Sequence, residues 1–180
     1  STNRREYSVA LPQAKPIFTY IILGITVIIF LLQMASESLF GDDLLFYFGG
    51  KINPFIVAGE YWRLITPIFL HADLTHLGSN MLSLFIFGSR VESLFGHRRF
   101  LLIYFIAGIA GTVASFIFSL NPSLGASGAI FGIIGAFTLY LYTNRQNFGG
   151  RGNAYLRDML ILIAINLFIS FRPNIDLWGH

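Results

Sequence analysis

A short polar motif, Gly125-Ala126-Ser127-Gly128, lies at the start of an almost wholly apolar run that continues through residues 129–142. Small residues on both sides of a serine keep its hydroxyl accessible and leave room for a substrate backbone to approach. Serine is a weak nucleophile until a base accepts its proton, and histidine is the usual base. The motif therefore predicts a serine hydrolase whose nucleophile lies at the mouth of a membrane helix, although hydrolysis needs water and a bilayer excludes it.

Three further side chains could take part in acyl transfer. His76 and Asn80 are four residues apart, so they lie on one face of a helix, and the sequence ends at His180. Either histidine could accept the serine proton. The Asn80 amide and the backbone N–H groups at the start of the Ser127 helix could stabilise an oxyanion. Asp176 is more typical of a helix cap than of a third catalytic residue, so a Ser–His pair is predicted.

Each of these residues also has a purely structural interpretation. Serine is a favoured N-cap, and a histidine at a helix end commonly lies in the membrane interface. An asparagine within a span can hydrogen-bond a neighbouring helix. A functional interpretation is favoured if these side chains lie at the same depth in the membrane. Their depth depends on how the apolar segments cross the membrane.

The composition is that of a membrane protein. Of 180 residues, 54% are hydrophobic and only 12% are charged, whereas soluble domains carry about 25% charged residues. A bilayer core needs roughly 17–25 apolar residues per helix, so we expect an all-α polytopic bundle that forms one domain over residues 1–180. The absence of cysteine excludes disulfides and thiolate metal sites. The predicted spans are 17–35, 76–95, 100–120, 127–142 and 155–171, with a sixth that begins near Leu177 and is truncated at His180.

The distribution of basic residues predicts the orientation. If the N-terminal segment, residues 1–16, is cytoplasmic, most basic residues fall on the cytoplasmic side, as the positive-inside rule requires. The segment 36–75 is then an external loop, whose apolar pieces could form short amphipathic helices in the headgroup region or pack on the helix ends. Ser127, His76 and His180 then all begin spans that run inward from the external surface. The cytoplasmic basic residues are Arg4, Arg5, Lys15, Arg98, Arg99, Arg145, Arg151 and Arg157.

Small residues recur at four-residue intervals in the third and fourth predicted spans. This spacing places them on one helix face, where they allow two backbones to approach closely. The fourth span is therefore expected at the centre of a tight bundle. Near the cytoplasmic ends, Arg90 and Glu92 are expected to snorkel or to bind a neighbouring helix, and His97 to face solvent or lipid headgroups. The small residues are Ala107, Gly111, Ser115, Gly128, Gly132 and Ala136.

Taken together, these motifs resemble the rhomboid intramembrane serine proteases. The resemblance covers about residues 60–180 and implies six helices around a water-filled cavity that opens to the outer side. It implies that Ser127 is the nucleophile and that His180 is the general base. The residues that carry it are Gly125-Ala126-Ser127-Gly128, His71, His76 and Asn80 in the spacing H-x4-H-x3-N, Trp62-Arg63, and Trp178-Gly179-His180.

The resemblance also implies roles for residues around the serine. His76 and Asn80, with the Ser127 backbone N–H, would form the oxyanion site. Trp62 and Arg63 would stabilise the external loop. We expect a structural contact near the site from the first histidine of the spacing, His71, and room for the substrate backbone from Gly125 and Gly128.

The implied substrates are single-span transmembrane proteins, cut in or near the membrane at small residues beside helix-destabilising sequence. No cofactor, metal or nucleic acid is implied, the surroundings are a lipid bilayer, and the oligomeric state stays open. A multi-pass location in a prokaryotic inner membrane is expected. One alternative is a catalytically impaired rhomboid-like factor that binds membrane proteins and directs their trafficking or degradation. A small transporter or channel is disfavoured because the sequence shows no inverted repeat and its polar residues gather at one surface.

Overall fold

The computed structural model describes residues 14–146 and, beyond them, residues 153–154, 156–157, 159–161, 163–164 and 179. Within this described part the chain is helical and contains no strand, in agreement with the predicted all-α class. The helices are α1 (Ile17–Phe40), α2 (Leu44–Gly49), α3 (Asn53–Val57), α4 (Leu74–Ser83), α5 (Ser89–Phe95), α6 (His97–Phe118) and α7 (Ser127–Thr143).

Four of the predicted spans correspond to helices. α1 and α6 are long and apolar enough to cross a membrane, and α7 is a shorter apolar helix. α4 and α5 are joined by a π-helical turn, Leu84–Gly88, so helical backbone continues from residue 74 to residue 95. The predicted fifth and sixth spans fall largely outside the described residues, and the six-span bundle stays a prediction.

α1 runs further than the predicted end at residue 35. It continues to Phe40 because the first residue able to reverse the chain is Gly41, which takes a left-handed conformation with φ 79°. The Gly41 N–H then donates to the Glu37 carbonyl at 2.9 Å, which closes the last turn of the helix. The segment that follows, residues 41–73, is called the connecting segment below.

The connecting segment contains α2, α3 and two 3₁₀ turns, and it packs on the end of α6. The Lys51 ammonium is buried and donates to the carbonyls of Ser119 and Asn121 at 2.7 and 2.9 Å. The Asn53 amide donates to the carbonyls of Phe116 and Ser119, both at 3.0 Å. The last carbonyls of a helix have no partner within it, so these two side chains satisfy the end of α6. The connecting segment therefore forms short helices, and it packs on the end of α6.

The α6–α7 pair is the most extensive helix contact among the described residues. A Cβ atom on Gly132 would overlap the Ala107 methyl, and a Cβ on Gly108 would lie 3.2 Å from the Ala129 Cβ. The predicted small-residue packing therefore brings these two backbones together. α7 also contacts α4, α5 and the Thr66–Phe69 turn, which places it at the centre of the described part, as predicted.

A buried carboxylate, Glu92, joins three helices at the opposite end of the bundle. It accepts hydrogen bonds from the backbone N–H groups of Phe18 and Thr19 at 3.0 and 2.8 Å and from the Thr19 hydroxyl at 2.7 Å. Its other contact is His97 Nδ1 at 2.6 Å. The predicted interhelical role of Glu92 is confirmed. The His97 side chain is 38% exposed, in line with the expectation for it, and its contact with the buried Glu92 carboxylate was not predicted. Arg90 is exposed.

Candidate active site

Ser127 is the first residue of α7, and the backbone before it is held in an unusual conformation. The first intrahelical bond runs from the Ile130 N–H to the Ala126 carbonyl at 3.0 Å, so the N–H groups of residues 127–129 have no partner within the helix. Gly125 has φ 126°, a conformation that side-chain-bearing residues rarely adopt, and its N–H donates to the Pro67 carbonyl at 2.8 Å. The glycine motif thus ties the start of α7 to the connecting segment.

The His76 ring lies against the same glycine. A Cβ atom built on Gly125 would lie 2.8 Å from both Nε2 and Cε1 of His76, and 3.9 Å from the Ser127 hydroxyl oxygen. The Nε2 edge of the imidazole and the serine oxygen therefore flank one small residue. The structure brings these two predicted site residues together, and a side chain at position 125 would separate them.

Two contacts of His76 lie at the end of its own helix. Asp73 caps α4 by accepting from the His76 N–H at 2.7 Å, and the Ala72 N–H approaches Nδ1 at 3.4 Å. A neutral imidazole has one N–H and one acceptor nitrogen, so a donor at Nδ1 favours the tautomer with its proton on Nε2. The neutral ring then carries its N–H on Nε2, which belongs to the ring edge that faces Gly125.

Asn80 lies one turn further along α4 on the same face and is buried. Its Nδ2 donates to the His76 carbonyl at 2.9 Å, which is a bond within its own helix. An amide nitrogen carries two donor hydrogens, so this bond leaves one for another acceptor. The contacts described for Asn80 do not include Ser127.

His71 is packed beneath His76. Its side chain is 1% exposed, and the two rings meet edge to face with centroids 5.0 Å apart. Within the described part of the chain neither ring nitrogen has a hydrogen-bond partner of good geometry. Burial, followed by the charge of protonated His76, lowers the pKa of His71 to about 3, while the Phe69 carbonyl and the Asp73 carboxylate act in the opposite direction. The first histidine of the spacing is therefore a neutral packing group at ordinary pH.

Gln33, in the second half of α1, was missed by the sequence reasoning. Its Oε1 accepts from the His71 N–H at 3.0 Å, and its Nε2 donates to the His71 carbonyl at 3.2 Å and to Asp43 at 2.6 Å. One buried amide thus holds the backbone of a site residue and the cap of α2. The signal was present in the sequence, because Thr19, Thr26 and Gln33 recur at intervals of seven and are all buried polar residues of one apolar helix.

Arg63 and Trp62 bind the backbone of the connecting segment. The buried Arg63 guanidinium donates to the carbonyls of Gly50 and Tyr47 at 2.9 and 2.8 Å, and it pairs with Glu60 at 2.6 Å. The exposed Trp62 donates from Nε1 to the Phe48 carbonyl at 3.1 Å. Neither residue is recorded in contact with Ser127. Their connection to the site runs along the chain to the Pro67 carbonyl described above.

The predicted base, His180, lies outside the described residues, as do Asp176 and Trp178. The residue before the base is described. The Gly179 carbonyl oxygen lies 2.5 Å from the position that a Cβ atom would take on either Gly111 or Gly128. The chain therefore meets the α6–α7 interface one residue before His180 and one residue after Ser127.

The apolar helices and the serine flanked by a histidine define the class: an α-helical membrane protein with a candidate hydrolase site. A family model described as the rhomboid domain matches residues 58–180. The chain is 41% identical to rhomboid protease GluP of Bacillus subtilis over 98% of this chain and 34% of GluP. It is 35% identical to the putative rhomboid protease YdcA of the same organism over 92% of this chain and 81% of YdcA.

A plant relative, RHOMBOID-like protein 1 of Arabidopsis thaliana, is 42% identical over 67% of this chain and 31% of that protein. The chain spans about a third of the length of GluP and of this plant protein. The chain belongs to the rhomboid family of integral membrane proteins.

Proposed function

We propose that this chain is the catalytic domain of an intramembrane serine protease, an endopeptidase that hydrolyses peptide bonds of transmembrane proteins. The observation that carries the proposal is the arrangement at Gly125, where the Nε2 edge of His76 and the Ser127 hydroxyl flank one glycine at the start of an apolar helix. The relatives GluP and YdcA, both named as rhomboid proteases, support the same reaction class.

The proposed mechanism is acyl transfer through a Ser–His dyad. The Ser127 oxygen attacks the scissile carbonyl while His180 accepts its proton, and the same histidine then protonates the leaving amine. Water hydrolyses the acyl-enzyme by the reverse sequence of proton transfers. The attacked carbonyl oxygen becomes negative in each tetrahedral intermediate, so the site needs fixed donors at that position.

Three donors are assigned to the oxyanion. The first is the Nε2–H of His76, and the contact of the Ala72 N–H with Nδ1 favours the tautomer that carries this proton. The second is the remaining amide hydrogen of Asn80, and the third is the backbone N–H of Ser127. The positive end of the α7 dipole lies at Ser127 and favours negative charge there. His71 is proposed as a neutral support for the His76 ring, and Trp62 and Arg63 as supports of the connecting segment.

The proposed substrates are single-span transmembrane proteins, and the proposed orientation places the N-terminus in the cytoplasm of a prokaryotic cell. The connecting segment and the starts of α4 and α7 meet at one end of the bundle, as the bonds from Gln33 to His71 and from Gly125 to Pro67 require. We assign this end to the external side. Water then has to reach a site near the surface and need not cross the apolar centre of the bilayer.

The proposal is tested by comparing the wild type with Ser127→Ala in detergent, using a transmembrane test substrate. We expect cleavage by the wild type and a loss of at least about 10⁴-fold in the variant, because removing a nucleophile abolishes the covalent path. A fluorophosphonate should label Ser127, and His180→Ala should slow the labelling by more than about 100-fold. Equal cleavage by both forms would contradict the proposal. Binding without cleavage by the wild type across several substrates would support the alternative, a rhomboid-like binding or trafficking factor.

The base adds a prediction about pH. A histidine base must be neutral to accept the serine proton, so cleavage should fall as the pH drops through about 6.5, the ordinary value for histidine. The measurement is the initial rate of cleavage across a pH series, corrected for the folded fraction. A flat profile between about pH 5 and 8 would argue against a histidine base.

A further inference from the structure

We propose that Gly111 and Gly128 form a contact surface without side chains, called the seat, for the Gly179 carbonyl. This contact positions His180. Gly111 lies on α6, which carries none of the proposed catalytic groups. Its role rests on the proposed function, because positioning His180 matters to activity only if that residue is the base. Gly111 is a positioning residue, since it acts through the residue that follows Gly179.

The seat consists of three glycine backbones that converge. A Cβ atom on Gly111 would lie 2.5 Å from the Gly179 oxygen, 3.4 Å from its carbonyl carbon and 3.4 Å from the Gly128 Cα. A Cβ on Gly128 would also lie 2.5 Å from the Gly179 oxygen, and 3.6 Å from the Gly111 Cα. The obstacles are backbone atoms in every case. No rotation of a side chain can relieve them, so a methyl group at either position must move a segment of chain.

The size of that movement can be stated. Ordinary contact between non-bonded heavy atoms is about 3.5 Å, so a methyl group at position 111 would displace the Gly179 carbonyl by roughly 1 Å. Consecutive Cα atoms are held about 3.8 Å apart by the peptide bond, so His180 cannot remain in place when the peptide before it moves. A misplacement of about 1 Å can cost roughly 100-fold in rate, because proton transfer depends on the distance to the nucleophile.

Two other glycines provide matched controls. Gly135, on α7, has nothing within 4 Å of a built Cβ, so Gly135→Ala adds the same methyl group without crowding. Gly132 faces Ala107 in the same α6–α7 interface, and no atom of Gly179 is among the nearest neighbours of its built Cβ. Gly132→Ala therefore damages helix packing without reaching the seat. The three variants separate an effect on the seat from an effect on stability.

The experiment measures the rate of fluorophosphonate labelling at Ser127 in membranes that contain the wild type, Gly111→Ala, Gly132→Ala or Gly135→Ala. We expect Gly111→Ala to slow labelling about 100-fold. We expect Gly135→Ala to match the wild type, and Gly132→Ala to lose thermal stability while its folded fraction is labelled at nearly the normal rate. The pH profile is the second readout. The wild-type rate should level off above about pH 6.5, whereas the Gly111→Ala rate should keep rising because its serine has lost the base.

A double variant identifies the residue through which Gly111 acts. With an activated fluorophosphonate, Gly111→Ala should have almost no further effect in a His180→Ala background, because the positioned group is already gone. If Gly111→Ala is unstable in detergent, the rates are compared in the cold, in membranes never exposed to detergent. Gly111→Ala labelled as fast as Gly135→Ala would overturn the seat and leave the protease proposal standing, and so would a full additive effect in the double variant. A wild type that is not labelled at Ser127 would overturn both.

Discussion

Small residues let α6 and α7 approach each other closely, whereas the connecting segment is held by long polar side chains. In the interface, Gly108, Gly111, Gly128 and Gly132 bring two helix backbones into contact. In the connecting segment, irregular backbone leaves carbonyl groups without helical partners, and Arg63 and Gln33 donate to them. Lys51 and Asn53 of the same segment donate to the carbonyls at the end of α6. Close packing fixes how α6 lies against α7, because no space remains for larger side chains. Hydrogen bonds from polar side chains to backbone carbonyls fix the connecting segment.

The two regions hold opposite sides of the candidate site. The interface carries Ser127 and receives Gly179, while the connecting segment carries His71 and binds Gly125 through Pro67. The difference predicts opposite sensitivities. Adding a methyl group should damage the interface, and removing a donor should damage the connecting segment.

The largest expected effect on stability is the removal of the Arg63 guanidinium. Arg63→Met keeps much of the apolar stem but leaves Glu60 and the Gly50 and Tyr47 carbonyls without their donor. Glu60 is partly exposed and can be rehydrated, so the main cost is the two carbonyls left without a donor, and the free energy of unfolding should fall by about 3 kcal/mol. Thermal unfolding in detergent measures this, with the exposed Arg90→Met as control. An unchanged Tm would show that the segment does not depend on this donor.

Crowding the interface should have the next largest effect. Gly132→Ala places a methyl group on the Ala107 methyl, and overpacking a core costs about 2 kcal/mol. Gly135→Ala on the same helix has open space, and it should stabilise the helix by up to about 1 kcal/mol because alanine is the better helix former. The comparison uses one substitution at two positions three residues apart. The same sign of change in Tm for both variants would contradict this close packing.

The lowered pKa of His71 predicts how the free energy of unfolding depends on pH. Its pKa is lowered to about 3 in the folded state, so the unfolded chain takes up a proton as the pH falls below about 6.5 and the folded chain does not. Stability should therefore fall by about 1.4 kcal/mol between about pH 7.5 and 5.5 through this group, and the loss should continue towards pH 3. His71→Asn removes the titrating group. The difference in unfolding free energy between wild type and variant should follow this slope, and parallel pH curves would show that His71 is not buried neutral.

The smallest expected effect is at the exposed edge of the connecting segment. Trp62→Phe removes one hydrogen bond, from Nε1 to the Phe48 carbonyl, in a place that water can reach. Exposed bonds contribute little net stability, so the loss should be about 0.5 kcal/mol. Chemical unfolding monitored by circular dichroism measures it. If Trp62→Phe lowered the free energy of unfolding as much as Arg63→Met, the difference in burial between Trp62 and Arg63 would not explain their contributions to stability.

Several features of the site were predictable because they follow from local patterns. Hydropathy predicts the approximate positions of four apolar helices, and a four-residue period predicts the small-residue faces. The direction of each span predicts that Ser127 and His76 lie at the same end of the bundle. Each signal is confined to one stretch of sequence. The predicted end of α1 at residue 35 is too early, because the helix continues through Phe40 and ends only at Gly41.

The sequence by itself determined which residues could carry out the chemistry and near which helix ends they lie. Only the tertiary structure decided which edge of His76 faces Gly125, that Gln33 holds the His71 backbone, that His97 pairs with Glu92, and that the Gly179 carbonyl lies between two glycines. These contacts join groups from different helices and loops. Their geometry depends on how the backbones pack, and no periodicity within one segment records it.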